Sequence, residues 1–349
     1  MTTNATPQRA LRGHAPTRPN PRAAVSGEHH ARLASRLTQR DRWLAHMLWE
    51  HKVLTTHQIV ELAWSAAARR TANERLRKLY QWRVLDRFQP FVTTGSAPMH
   101  YVLDIAGATA LAYEHGLDPA ELGYRHDAAI GIAHSLRLAH TIGCNGFFTS
   151  LSNASRTDVD TGLLTTWWSE ARCRRLWGDI VRPDGYGRWA EHGTEIEFFV
   201  EFDFGTETLR ILAAKLHDYH RLAVSTGIIT PLLLWLPTAH REANVRRALA
   251  DAHATLPRPE LVPLATSSPQ QPATSDDPAA DRWLPLPASV SSSRRVRLAE
   301  FASKWPRRTP AADLVHRLTT AVPNSTRSRL DSPSPTPPDG QTRQQWGAA

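Results

Sequence analysis

The chain has 349 residues, is 41% hydrophobic, contains two cysteines and carries a formal net charge of +9. That length suits two ordinary domains with tails. Two cysteines exclude a disulfide framework or a thiolate zinc cluster, and no apolar run reaches the ~18 residues of a membrane span. The opening MTTNATPQRALRGHAP has no apolar core of the kind a secretory signal needs. A reducing cytoplasm is therefore the expected setting, without membrane insertion. The positive charge points to a polyanionic partner, foremost nucleic acid. Lys52, Lys78, Lys215 and Lys304 are the only lysines among 42 basic residues, which makes each of them conspicuous.

Residues 1–35, rich in Pro, Arg and Ala without period, read as a disordered basic arm. Residues 36–118 read as one domain. TQRDRWLAHMLWEH places Trp43, Leu44, Met47 and Leu48 on one helical face. Thr55 or Thr56 can cap a short second helix carrying Ile59, Val60 and Leu62. A third helix through AAARRTANERLRKLYQWRVL turns Leu76, Leu79 and Tyr80 inward, and its other face carries Arg69, Arg70, Arg75, Arg77 and Lys78. VLDRFQPF and HYVLDI then read as two strands joined by TTGSAPM, followed by a helix ending at Gly116. Helix, helix, basic helix and two-stranded hairpin is the order of a winged helix-turn-helix. In that reading the basic helix enters the major groove of double-stranded DNA, and Arg87 near the base of the hairpin touches the backbone. A solvated charged face on a helical bundle is the plainer alternative.

Residues 125–262 read as a second, α/β domain. Its first segment, 125–152, has helical period with Ile130, Ala133, Leu136, Leu138 and Phe147 inward. His134 and His140 are six apart, too far round a helix to share one metal. In LLTTWWSEARCRRLWG the tryptophan pair suits a core. DIVRPDGYGRW and IEFFVEFDFG form a hairpin. Thr206–Thr226 is an amphipathic helix with Leu209, Leu212, Leu216, Tyr219 and Leu222 or Ala223 inward, ITPLLLWLP a buried strand, and HREANVRRALADAHA a second amphipathic helix. Residues 263–349 turn to Pro, Ser, Thr and Arg and read as a low-complexity tail, with a short helix near Arg295–Phe301 or Ala311–Leu318.

An apolar strand with Phe198, Phe199, Val200, Phe202 and Phe204 also carries Glu201 and Asp203, and Asp184 lies just upstream. Glu201 and Asp203 are two apart and share a face, and a returning hairpin can bring Asp184 beside Glu201. Converging carboxylates repel unless a cation sits among them, and hard oxygen donors suit Mg²⁺ or Mn²⁺. Such an ion polarises a phosphoryl oxygen and lowers the pKa of bound water. Lys215 on the next helix can offset charge at a scissile phosphate. Tyr219, one turn on, shares its face, Glu170 offers a further carboxylate, and Glu207 suits the helix dipole. A polar sheet edge is the plainer reading of the set.

Pro183-Asp184, Glu201 and a lysine on the following helix resemble the PD-(D/E)xK nuclease core. That resemblance implies that Asp184 and Glu201 hold a divalent metal beside a phosphodiester. Asp203 stands where that family has lysine, with Lys215 as a migrated substitute. Residues 41–250 resemble the replication-relaxation family through VLTTHQIVELAW, ERLRKLYQWRVLDRFQP, HYVLDIAGATALA, RPDG, FFVEFDFGTET and KLHDYHRLA. The resemblance implies a protein of plasmid or mobile-element replication or transfer. The expected fold is mixed α and β: a winged helix-turn-helix, then a restriction-endonuclease-like sheet domain. Metal-dependent DNA nicking by Asp184, Glu201, Asp203 and Lys215 is the leading expectation. A non-catalytic accessory factor on a degenerate scaffold, or a winged-helix regulator with a ligand pocket, are the alternatives.

Overall fold

In the first helices, local chemistry fixes where each turn begins. The structure, a computed structural model, describes residues 25–157, 162–269, 277–286, 294–305 and 330–338. Helix α1 (Gly27–Ala34) starts where Ser26 accepts from the His29 amide. Helix α2 (Gln39–His51) opens on a reciprocal capping box between Thr38 and Asp41, and α3 (Thr56–Ala63) on one between Thr55 and Gln58. Between them lies strand β1 (Leu54–Thr55). A 3₁₀ turn at Ala66–Ala68 leads into α4 (Arg69–Gln81), followed by β2 (Leu85–Phe88), β3 (His100–Leu103) and α5 (Ile105–Glu114). The three strands form an antiparallel sheet in the order β1-β3-β2, with Leu85 opposite Leu103 and Phe88 opposite His100. The arm expected over 1–35 differs from the structure. It contains α1, because Leu33 is buried and His29 hydrogen-bonds the Trp82 carbonyl. The first 24 residues lie outside the described ones.

The helix expected over 125–152 is two helices, α6 (His126–Gly131) and α7 (Leu138–Thr157). Ser135 turns to extended backbone after a 3₁₀ turn, and Leu136, expected inside, is exposed. Leu138 and Phe147 are buried as expected. The described chain divides into two units at 153/154, so most of α7 lies in the first unit together with residues 330–338.

The second unit is built on a six-stranded sheet. Its elements are β4 (Leu163–Ser169), α8 (Glu170–Trp177), β5 (Gly185–Glu191), β6 (Thr194–Phe202), α9 (Leu209–Thr226), β7 (Leu232–Trp235), α10 (Ala239–Ala254), β8 (Leu264–Ser267), β9 (Leu284–Leu286) and α11 (Phe301–Lys304). The sheet runs β4-β5-β6-β7-β8-β9; β6, β7 and β8 are parallel and the other pairs antiparallel. The β5–β6 turn places both His192 and Gly193 at positive φ, the conformation that a two-residue hairpin matched to strand twist requires. Parallel neighbours need crossovers, and α9 and α10 supply them. Leu212, Leu216, Tyr219, Val245 and Leu249 from these helices pack with Phe199, Leu232 and Leu234 of the sheet. Trp167 is buried and Trp168 stacks on Tyr186, as a core pair should.

The sheet does not stop at 263, where the low-complexity tail was expected. Leu264–Ser267 pairs with β7, and Leu284–Leu286 closes the edge, where Pro285 is tolerated. Buried Glu242 of α10 holds this region through Arg295 (2.7 Å), Thr266 (2.8 Å) and Ser268 (2.6 Å). The helix weighed at Ala311–Leu318 lies outside the described residues. The fold is α+β throughout. Among the described residues, no helix is long and apolar enough to cross a membrane.

Candidate active site

Strand pairing brings the first two carboxylates together. The Asp184 amide, just before β5, donates to the carbonyl of Val200 (3.1 Å), the residue that already lies opposite Gly185. Asp184 Oδ2 accepts from the Phe202 amide at 2.9 Å, which sets Asp184 near enough to Glu201 for its charge to act on that carboxyl. Both acids are buried.

Helix α9 supplies what Glu201 needs. Lys215 Nζ donates to Glu201 Oε2 at 2.7 Å, and the Tyr219 hydroxyl donates to Oε1 at 2.6 Å. The two donors are one helical turn apart, so a single face of α9 delivers both. Lys215 also meets Glu207 Oε2 at 3.1 Å. Burial raises the Glu201 carboxyl to about 7, and the Asp184 charge adds to it, against the Lys215 ammonium that lowers it. For Lys215, burial works against its charge, but Glu201, Asp184 and Glu207 outweigh it and raise its pKa above the ordinary range. Burial and then the Glu201 charge push the Tyr219 hydroxyl far up, so it stays a proton donor.

Asp203 is placed differently. It follows β6, with its amide on the Trp235 carbonyl at 2.9 Å. Its Oδ2 accepts from Arg241 Nε at 2.7 Å and its Oδ1 from the Gly205 amide at 2.8 Å. Arg241 also reaches the Glu207 carbonyl. Glu170 opens α8, in the first helical turn.

Asp184 and Glu201 are the acids of this group that could hold a divalent ion. They are buried hard oxygen donors, and the charge of Asp184 adds to the burial that raises the Glu201 carboxyl. Each acid also has other partners: Glu201 is bound by Lys215 and Tyr219, Asp184 by the Phe202 amide, and Asp203 by the Arg241 guanidinium and the Gly205 amide. Sequence reading missed Arg241. The signal was topological: parallel β6 and β7 end together, so the loop after one meets the first turn of the helix after the other.

In the first unit the basic residues expected on α4 and at Arg87 are differently engaged. Arg77 and Lys78 are exposed on α4. Arg75 instead grips buried Asp41, with Nε 2.9 Å from Oδ1. Arg70 pairs with Glu74, Arg69 meets His57, and Arg87 lies over the Tyr80 ring at 4.4 Å. Sequence reading also passed over Asp86, Asp104 and His126, whose candidate ligand atoms lie within 4.8 Å of one another. His126 sits 3.2 Å from each carboxylate, one on either ring nitrogen. Arg83 (3.3 Å) and the Ile105 amide (2.6 Å) also bind Asp104, and the Arg87 amide (2.8 Å) binds Asp86. These neighbours make the cluster a clamp of α6 onto β2 and the start of α5.

Compared with known proteins, the chain matches the family model described as replication-relaxation over residues 46–232. The matched stretch contains α4, Asp184, Glu201, Lys215 and Tyr219, and ends before Arg241. No curated protein and no solved structure matches.

Proposed function

The chain belongs to the replication-relaxation family, and on that premise we propose that it binds duplex DNA of a plasmid or other mobile element and nicks it with a divalent metal. Family membership supports the coarser role, in replication or relaxation. The nicking reading rests on one observation: buried Asp184 bonds the amide next to Glu201, its charge acts on the Glu201 carboxyl, and Lys215 Nζ stands 2.7 Å from Glu201.

Asp184 and Glu201 would hold Mg²⁺ or Mn²⁺. Such an ion, when bound, would act as a Lewis acid on a phosphoryl oxygen and lower the pKa of bound water. The chain's own groups do the rest. Lys215 keeps its charge, since three carboxylates surround it, and offers that charge to a phosphorane-like transition state. Tyr219 fixes the rotamer of Glu201 through its 2.6 Å hydrogen bond. Asp203 orients Arg241 at the rim of the site. In the first unit, the order α2, α3, α4 and the β2–β3 hairpin supports a winged-helix docking mode, with Arg77 and Lys78 toward phosphate.

The test is nicking of supercoiled plasmid carrying the protein's neighbouring DNA, with Mg²⁺ or Mn²⁺ against chelator. Metal-dependent open circles from wild type, lost in Asp184→Asn and Lys215→Met, are expected. A second reading has its own support: Asp203 stands where the nuclease core it resembles has lysine, and it is bound by Arg241. If the chain binds DNA site-specifically yet nicks with neither metal, the domain is a non-catalytic scaffold of an accessory factor.

A further inference from the structure

We infer that the first unit carries a recognition groove for extended proline-rich peptide, and that residues 330–338 of the same chain are its resident ligand. The segment reads LDSPSPTPP. It forms no strand or α-helix, yet Leu330, Pro333, Pro335 and Pro337 are buried while Asp331 and Ser334 are exposed. That alternation is the mark of a chain laid along a surface with every second residue pressed into it.

The chemistry of the contact is directional. Trp43 Nε1 donates to the Ser334 carbonyl at 2.7 Å, His46 Nε2 lies 3.0 Å from the Asp331 carbonyl, and Ser152 Oγ donates to the Pro335 carbonyl at 3.4 Å. Two of these donors come from α2 and one from α7. All three read backbone carbonyls. Proline has no N–H to offer, so a groove that selects such a segment must present donors, an indole foremost. Ser332, Ser334 and Thr336 each precede a proline, which steers them away from helix toward extended backbone. The ligand is thus largely pre-shaped before it binds, as in other aromatic-lined proline-reading grooves. The occupant is the chain's own tail, because that tail is seated there.

The probe is a fluorescein-labelled peptide of residues 330–338, read by anisotropy against the full-length chain. In wild type the tethered tail competes. In the full-length Pro333→Ala, Pro335→Ala, Pro337→Ala variant it does not, and the labelled peptide is expected to bind about tenfold tighter or more. Adding Trp43→Phe to that variant is expected to weaken the peptide about tenfold, and a peptide of scrambled order is expected not to compete. Equal weak binding to wild type and the proline variant, or equal competition by the scrambled peptide, overturns the inference. Thermal unfolding is recorded beside each. Should Trp43→Phe unfold, the proline variant alone decides, since its substitutions lie outside every helix and strand.

Discussion

Lys215 Nζ and Glu201 Oε2 stand 2.7 Å apart inside the second unit, the lysine reaching from a helix to a carboxylate on a central strand. Glu201 is nevertheless raised to about 7 by burial and by Asp184. A carboxyl with a raised folded pKa holds its proton in the folded state while the unfolded chain has lost it. Stability is therefore present below the unfolded value, and is lost as pH rises through about 7. Lys215 does not titrate in this window. A pKa that differs by one between the folded and unfolded chain is worth about 1.4 kcal/mol, so the loss between about pH 5 and about pH 8 is at most ~3 kcal/mol. Urea midpoints measured across that range are expected to fall for wild type and to stay flat for Glu201→Gln. Saturating Mn²⁺, which favours the carboxylate, is expected to restore the wild-type midpoint at the alkaline end. A slope unchanged by Mn²⁺ would count against metal at this pair.

Tyr219 tests whether Glu201 is held as well as charged. Tyr219→Phe removes a buried hydroxyl that donates to Oε1 at 2.6 Å but keeps the ring against Phe199. Leaving a buried carboxylate one donor short costs ~1–3 kcal/mol. The same change is expected to move the pH midpoint of stability upward, because the ionised form loses its donor. Loss of packing alone would leave the midpoint where it was.

The basic helix α4 divides into structural and exposed charges. Arg75→Ala strands buried Asp41, which also caps α2, and is expected to cost ~3 kcal/mol in urea unfolding. Arg77→Ala and Lys78→Ala are expected to leave stability within ~0.5 kcal/mol. Each should instead lower duplex affinity and reduce the salt slope by about one. Equal loss of stability from all three would remove the distinction.

Gly107 meets the same kind of test in the packing of α5. A Cβ there would lie 2.2 Å from the Val84 carbonyl, a backbone atom that cannot swing aside. Gly107→Ala is expected to destabilise by ~1–3 kcal/mol, read as a lower melting temperature, despite alanine's better helix propensity.

What the sequence made legible follows from what its signals report. Period and caps report local structure, and α2, α3, α4, the β5–β6 hairpin, α9 and α10 lie close to where Thr38, Thr55, Leu76 and Leu216 place them. Hairpin registry is also local, so Asp184 beside Glu201 was readable. Lys215 and Tyr219 on one face of α9 were readable from their spacing. Partnership across the sheet was not. Nothing near Asp203 in sequence announces Arg241, and nothing near Arg75 announces Asp41, because crossovers and helix packing decide both. Composition misled at the tail: LATS and LPL are too short to show period, and only pairing with β7 makes them strands.

Asp203 gives the most discriminating variant, because it stands where the resembling nuclease core has lysine. Were position 203 equivalent in its surroundings, Asp203→Lys in a Lys215→Met background would restore a cation to the site and recover nicking. The structure argues otherwise. Asp203 Oδ2 is bound by Arg241 Nε at 2.7 Å, and the Arg241 side chain is only 18% exposed. A lysine there would face the guanidinium across a buried gap and strip Arg241 of its carboxylate. Breaking such a pair costs ~3–5 kcal/mol, before like-charge repulsion is added. Asp203→Lys is therefore expected to unfold at clearly lower urea and to rescue nothing, whereas Asp203→Lys with Arg241→Glu, which restores an opposite-charge pair, is expected to regain most of the stability. Rescue of nicking by Asp203→Lys alone would show that the site tolerates its lysine on the strand and that Arg241 is free to move.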